Sequence, residues 1–389
     1  MTKKWSSRLT FFAFVVLMVG LGSNDSLRGI FSTIFQEHFS LTTTQLGLIV
    51  TASYIGNLVF LLVGGNLSTR FSKKRVLQVL ILIWMAALAL FAFTSNYTVL
   101  LIGMALALGS STLLNTTMNL ITPLLFATAP GFFVNFLFFT QEIGTSGSQY
   151  ILGSHADGFA FWQHTNLVLL ILGAVAFVLL LFCHVPEEAA APADAPAQKG
   201  GYDWRIIVPY VLVFGFYFIA EHGVMNWMVA YGVDGLGLPQ ASAAKYLSVF
   251  FGGMMIGRLC LSPLVDKLGA LKSLAAFGGV SCVLYLIGSL GGAVTMPVWA
   301  ISGLSFSILY PTLVMSIRLY FPAQQVSGAA GTILSIASLA DILFNVGFGK
   351  LVDMTGYAVS IRVLPLSALA FFIVFMLFTK FCKPTQKLK

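Results

Sequence analysis

Apolar residues do not alternate along this chain; they run in long blocks, each closed by charged residues, proline or glycine. At about 1.5 Å of rise per residue, roughly 20 apolar residues carry a helix across the hydrocarbon of a bilayer. Twelve blocks meet that length and predict helices over about 9–35, 43–68, 76–95, 97–122, 129–152, 165–184, 206–231, 241–264, 272–291, 295–318, 325–350 and 361–381. The short alternating segments of a membrane β-barrel are missing. The expected fold class is therefore an all-α membrane protein with twelve transmembrane helices.

The pattern breaks once. From Pro186 to Gly201 the chain is rich in alanine and proline and has no apolar face, which reads as a cytoplasmic linker. The predicted organisation is an N-terminal six-helix bundle over 1–185, a linker over 186–204 and a C-terminal six-helix bundle over 205–389. Sliding one half onto the other by 197 residues lays Gly56 on Gly253, Leu67 on Leu264 and Arg70 on Lys267, and Asn24-Asp25 on Glu221-His222. Both halves thus place a polar pair at the same depth of their first helix, as in transporters built from two related bundles.

Composition agrees with this layout. Only 9% of residues are charged and 58% are hydrophobic, too little charge to cover a soluble domain. With the N-terminus inside, the inner face collects Lys3, Lys4, Arg8, Arg70, Lys73, Lys74, Arg75, Lys199, Arg205, Lys267, Lys272, Arg318 and the lysines at 380, 383, 387 and 389. The outer side holds Arg28, Lys245, Lys350 and Arg362. That bias supports an even number of spans with both termini cytoplasmic, as expected in a bacterial cytoplasmic (inner) membrane. The net charge of +8 then reflects topology and contact with lipid headgroups, and calls for no nucleic acid. The opening Met1-Thr-Lys-Lys and the run after it read as a first span, since no small-residue cleavage site follows. Cys183, Cys260, Cys282 and Cys382 show no paired spacing, so neither a disulfide nor a metal is expected.

The first span carries Gly22-Ser23-Asn24-Asp25-Ser26-Leu27-Arg28-Gly29 in an otherwise apolar run. A carboxylate at that depth persists where it faces a protein interior or a water-filled cavity, which makes Asp25 a candidate proton-coupling residue. Arg28 lies three residues on, on the same helix face. If the two pair, Asp25 stays charged; if Arg28 points elsewhere, Asp25 can take a proton from one side and release it to the other. Glu142, Glu221 and Asp341 are the other acids near mid-membrane. Glu142 is a second candidate for proton coupling.

In the seventh span Tyr217, Glu221 and Met225 share one face, while His222 and Asn226 share the next, with Trp227 adjacent. Such a stripe suits a hydroxylated solute, because carboxylate and amide bond hydroxyls and an aromatic ring covers the C–H side of a sugar. Helix packing is the alternative for the same stripe, and His222 could instead relay protons. Asn115 and Asn119, four apart in the fourth span, and Gln141 in the fifth point to a polar cavity or to bonds across helices. His155 and His164 are expected in an outer loop, in solvent. The glycines Gly64-Gly65, Gly252, Gly253, Gly257, Gly328 and Gly331 suit close helix contacts.

Twelve spans as six plus six, with basic loops after spans 2 and 8, resemble the major facilitator superfamily. Gly65-Asn-Leu67-Ser-Thr69-Arg70-Phe-Ser72-Lys73-Lys74-Arg75 resembles its G-x-L-x-D-R-x-G-R-K motif, with Thr69 and Ser72 in place of Asp and Gly; Leu264-Val-Asp266-Lys267-Leu-Gly269 resembles the partner motif. Within it, Asn24-Asp25, Glu221 through Tyr231 and the Gly257-Arg258 pair resemble the fucose-proton symporter group of sugar transporters. Asn115 stands where that group has a Glu, and Phe138 where it has a Gln. The resemblance implies the major facilitator fold and proton coupling at Asp25. Residues and resemblance together give an expected set of substrate contacts from Asn24, Asn115, Asn119, Gln141, Glu221, His222, Asn226 and Trp227, with Arg28, Arg258, Asp266 and Asp341 as gating residues; the family's acid is absent at Asn115, and Glu142 is its neighbouring substitute.

The chain is thus expected to be a secondary active transporter that works by alternating access and takes up a sugar or similar small polar solute together with protons, in a lipid bilayer, as a monomer. The proton gradient would drive it, with no cofactor. An exporter of drugs or metabolites, or a carrier of small organic anions held by Arg28 or His222, is the alternative. No nucleophile–base or metal-ligand spacing suggests an enzyme, and no repeated pore lining suggests a channel.

Overall fold

The computed structural model describes residues 3–126, 130–183, 185 and 202–384, with side chains described outside 3–6, 61–70, 120, 123, 130–132, 135, 266, 323–324 and 327–328. The expected linker lies almost wholly outside the described residues. Twelve transmembrane elements follow in order among those described: α1 (Lys3–Ile30), α2 (Thr43–Arg70), α3 (Lys73–Phe93), α4 (Tyr97–Leu125), α5 (Pro130–Ile151), α6 (Phe159–Phe182), α7 (Trp204–Ala230), α8 (Gln240–Leu268), α9 (Ala270–Leu290), α10 (Met296–Leu319), α11 (Ala323–Thr355) and α12 (Val363–Phe381). Ten of them are by length and composition able to span a membrane, within the described residues. The protein is a multi-pass integral membrane protein of all-α fold.

The chain divides into two compact units, one of residues 1–41 and 45–198, the other of residues 42–44 and 199–389. In the first, α1 packs on α5 and α6, and α3 on α4 and α6. In the second, α7 packs on α11 and α12, and α9 on α10 and α12. Each unit therefore repeats one set of neighbours, first helix with fifth and sixth, third with fourth and sixth, which is the structural counterpart of the 197-residue repeat.

Burial follows the same physics in both units. Large aromatic residues such as Trp84, Trp162, Trp227 and Trp299 are fully enclosed, while Val168, Ile171, Val175, Val178 and Phe182 lie exposed along α6. Those exposed apolar side chains are what lipid would cover, since lipid tails exert no hydrophobic penalty on them.

Three expectations change. The first apolar run is not one helix: α1 stops at Ile30 and a short helix, Ser32–Phe39, follows after Phe31. The tenth span is broken into Met296–Ile301, Gly303–Phe306 and Leu309–Ser316, ending in a 3₁₀ turn over Ile317–Leu319. Its cause is local: Ser302 and Ser307 hydroxyls donate back to the carbonyls of Trp299 and Leu304, and Pro311 has no N–H for the preceding turn. The sixth span begins at Phe159, so His164 lies on a helix and not in a loop. Trp162 is buried there against Phe31 and Phe35, which draws the helix start outward.

Candidate functional site

In the first unit the site is built on a close approach of α1 and α5. Gly22 faces the backbone carbonyl of Gln141, and Gly144 faces that of Val19, with no room for a Cβ at either position. Two hydroxyls tie the seam: Ser23 Oγ donates to the Gly144 carbonyl at 3.3 Å and Thr145 Oγ1 to the Gly22 carbonyl at 3.2 Å. The helices are thereby held together just below the polar part of α1.

Asn24 turns to α3, where its Oδ1 accepts the Trp84 indole N–H at 3.2 Å. Asp25 turns to α4, and its Oδ2 accepts from the Ser111 hydroxyl at 3.3 Å; its Oδ1 is buried with no partner. Arg28 is buried and lies over the ring of Tyr54 on α2, 5.5 Å from the centroid. No contact ion pair joins Asp25 to Arg28 among the described residues, although the two charges act on each other across one helical turn.

The two asparagines of α4 and the glutamine of α5 form a ladder. Asn119 Nδ2 donates to Asn115 Oδ1 at 2.6 Å, and Asn115 Nδ2 donates to Gln141 Oε1 at 2.6 Å. The chain of amides ends in an open acceptor, the buried Asn119 Oδ1. Glu142, beside Gln141, is half-buried. An amide ladder in apolar surroundings orients its free ends, and those ends can bond hydroxyl groups of a solute.

In the second unit α7 carries Glu221, His222, Asn226 and Trp227. His222 Nδ1 lies 2.6 Å from Asp341 Oδ2 of α11, and Phe218 stacks on the imidazole with centroids 5.3 Å apart. Asp341 is almost wholly buried. One turn on, Asn345 Nδ2 donates to the Asp341 backbone carbonyl at 2.9 Å and its Oδ1 accepts the Trp227 indole N–H at 3.0 Å. His222, Asp341, Asn345 and Trp227 thus form one polar seam between α7 and α11. Asn226 is buried beside it.

Glu221 faces a second environment. Its charge acts on Tyr217, Tyr285 and Tyr310, and that of Arg258 on α8 acts on Tyr217 and Tyr310. Tyr217 stacks on Phe306 at 5.0 Å, and the Tyr285 hydroxyl donates to the Ala220 carbonyl at 3.0 Å. An acid and a guanidinium set against flat rings make a surface suited to a polar ring-shaped solute. The side chain of Asp266 and the loop motif through Arg70 lie outside the described side chains.

Several residues of these sets carry no sequence signal of their own. Ser111, Tyr54 and Trp84 of the first unit, and Tyr310 of the second, are ordinary residues for apolar helices, whereas the amide of Asn345 is not. Asn345 alone could have been found, since it lies four residues after Asp341 on one helix face.

The profile of the Major Facilitator Superfamily matches residues 10–344. The chain is 24% identical over 333 residues to the L-fucose-proton symporter of Escherichia coli strain K12, covering 74% of this chain and 75% of that protein. It is 26% identical over 365 residues to the hexuronate transporter of Bacillus subtilis strain 168, covering 85% and 84%. Among solved structures, a D-xylose-proton symporter superimposes with a TM-score of 0.78 at 16% identity, covering 99% of both chains.

Proposed function

This chain belongs to the Major Facilitator Superfamily and is a transporter rather than an enzyme; from that premise we propose that it takes up a sugar or similar small polar solute together with protons, by alternating access. The observation that carries the reading is Asp25: a carboxylate inside the first helix of its unit, held by Ser111 through one oxygen and unpartnered at the other. Such a group binds and releases a proton without dismantling an ion pair. Named relatives include symporters and sugar carriers, which supports the same class.

In this scheme Asp25 is the proton carrier and Glu142 the second acid. Asn24, Asn115, Asn119, Gln141, Glu221, His222, Asn226 and Trp227 contact the solute, directly or by orienting the groups that do. Arg258, Asp266 and Asp341 belong to the gates. Protonation drives transport only if it favours the two access states unequally, so the proton must alter the polar contacts described above. The protein would work as a monomer in a bacterial inner membrane, with both termini cytoplasmic and no cofactor.

The test is a pH electrode in a lightly buffered suspension of cells overproducing the protein. Adding a transported solute is expected to make the medium more alkaline as protons enter with it, and Asp25→Asn is expected to abolish the response. Solute uptake with no alkalinisation, or uptake indifferent to an uncoupler, would overturn proton coupling.

A further inference from the structure

We infer that the transported solute carries a carboxylate and that Arg28 on α1 receives it; this rests on the proton-coupled uptake proposed above and narrows its substrate class. Arg28 is only 6% exposed, yet it makes no hydrogen bond to any described residue, and its Nε is buried without a partner. Its contact with Tyr54 uses the flat face of the guanidinium. The N–H edges, which match a carboxylate in a bidentate fork, remain unspent.

Asp25 does not fill that role. Its Oδ2 is taken by Ser111 and its Oδ1 has no partner, although Arg28 is one helical turn away. A second orphan lies at the same height. Gln149 of α5 is fully buried, with neither amide atom partnered. Arg28 and Gln149 are separated by the same 121 residues that separate Ser23 from Gly144, which bond across the α1–α5 seam. α1 and α5 are the first and fifth of successive spans and cross the membrane in one direction, so equal spacing means equal depth. One buried guanidinium and one buried amide thus lie at one depth of the unit, each with donor groups that no described residue satisfies. Buried donors of this kind are costly unless something binds them.

The charges fit a monoanion. With Asp25 ionised, Asp25 and Arg28 cancel; with a proton on Asp25, the pair carries one net positive charge, matched by one carboxylate. Ser111 on α4 and Tyr54 on α2 contact this pair, with Gln149 on α5 at the depth of Arg28 and Glu142 the other carboxylate on α5. Proton and anion then enter together with no net charge moved, whereas a neutral sugar with one proton would carry a positive charge inward. Asp25 Oδ1 and the amide ladder serve the solute's hydroxyls.

The full-length chain in proteoliposomes is given labelled D-gluconate, D-glucuronate or D-glucose under an inward proton gradient, with the membrane potential set by potassium and valinomycin. At least one sugar acid is expected to accumulate well ahead of glucose, at a rate indifferent to the potential. Arg28→Gln is expected to lower that uptake by about 30-fold or more, the loss that follows when one member of a buried charged hydrogen-bonded pair is removed. Gln149→Glu, which leaves Arg28 in place and adds a competing buried carboxylate at its depth, is expected to do the same, and it decides the matter if Arg28→Gln does not fold. Native uptake of the acid by either folded variant overturns the assignment. Potential-driven accumulation of glucose, with both acids ignored, overturns the carboxylate while leaving proton symport standing. Movement of none of the three overturns both.

Discussion

Replacing Gly22 by alanine adds a single methyl group, and the structure says where it would go. A Cβ at residue 22 would run into the backbone carbonyl of Gln141, with the Thr145 hydroxyl also crowded. Backbone cannot swing aside as a side-chain tip can, so α1 and α5 must separate. That separation strains or breaks the Ser23–Gly144 and Thr145–Gly22 hydrogen bonds, 3.3 and 3.2 Å long. Overpacking costs about 1–3 kcal/mol, and two hydrogen bonds between membrane helices add roughly 0.6 kcal/mol each. A total of about 2–4 kcal/mol corresponds, for a chain of 389 residues, to a fall in Tm of roughly 2–5 °C. Purified protein in detergent, unfolded by heat and followed by tryptophan fluorescence, gives the number. Gly147→Ala is the control, because a Cβ there meets nothing within 4 Å. If Gly22→Ala unfolds at the temperature of Gly147→Ala, the close α1–α5 seam is wrong, and with it the placement of Asp25 beside Ser111.

Removing one partner of the His222–Asp341 pair, 2.6 Å apart with Asp341 buried, leaves a stranded group; His222→Leu alone is expected to cost about 3–5 kcal/mol. The double variant with Asp341→Leu should recover a large part of that loss, and a thermal-unfolding double-mutant cycle without coupling would refute the pair. Asn345→Leu frees the Trp227 indole N–H and is expected to destabilise by about 1–3 kcal/mol, read in the same melts. Asn115→Leu cuts the amide ladder in the middle, both of its 2.6 Å links being lost, and is expected to raise KM for the solute far more than it changes protein stability. Unchanged KM in that variant would take the ladder out of solute binding.

The sequence marks out the polar residues of these helices, because a charge or amide in an apolar helix has few bland explanations. Asn24, Asp25, Arg28, Asn115, Gln141, Glu221 and Asp341 all declared themselves in that way. Direction around each helix was harder. His222 and Asp341 lie 119 residues apart on different helices, and nothing local in either stretch says that one meets the other. Ser111 and Tyr54 carry no signal in the sequence, because serine and tyrosine are common in membrane helices and gain meaning only from the Asp25 and Arg28 they face. The break in α10 left its marks in Gly303 and Pro311, whereas the apolar pattern around them argued for one unbroken helix. Gln149 stands between these cases: a glutamine in an apolar run is unusual, but only full burial with no partner sets it apart from Gln141, which is bonded.

The central claim is that Asp25 carries the coupled proton. The direct measurement is uptake of a labelled panel of monosaccharides and sugar acids into proteoliposomes, with and without an inward proton gradient, for the native chain and for Asp25→Asn. The native protein should concentrate at least one solute, lose that ability with an uncoupler, and retain only solute exchange once Asp25 is changed to Asn. Gradient-driven accumulation by Asp25→Asn at the native level would contradict the claim and move the proton to another carboxylate.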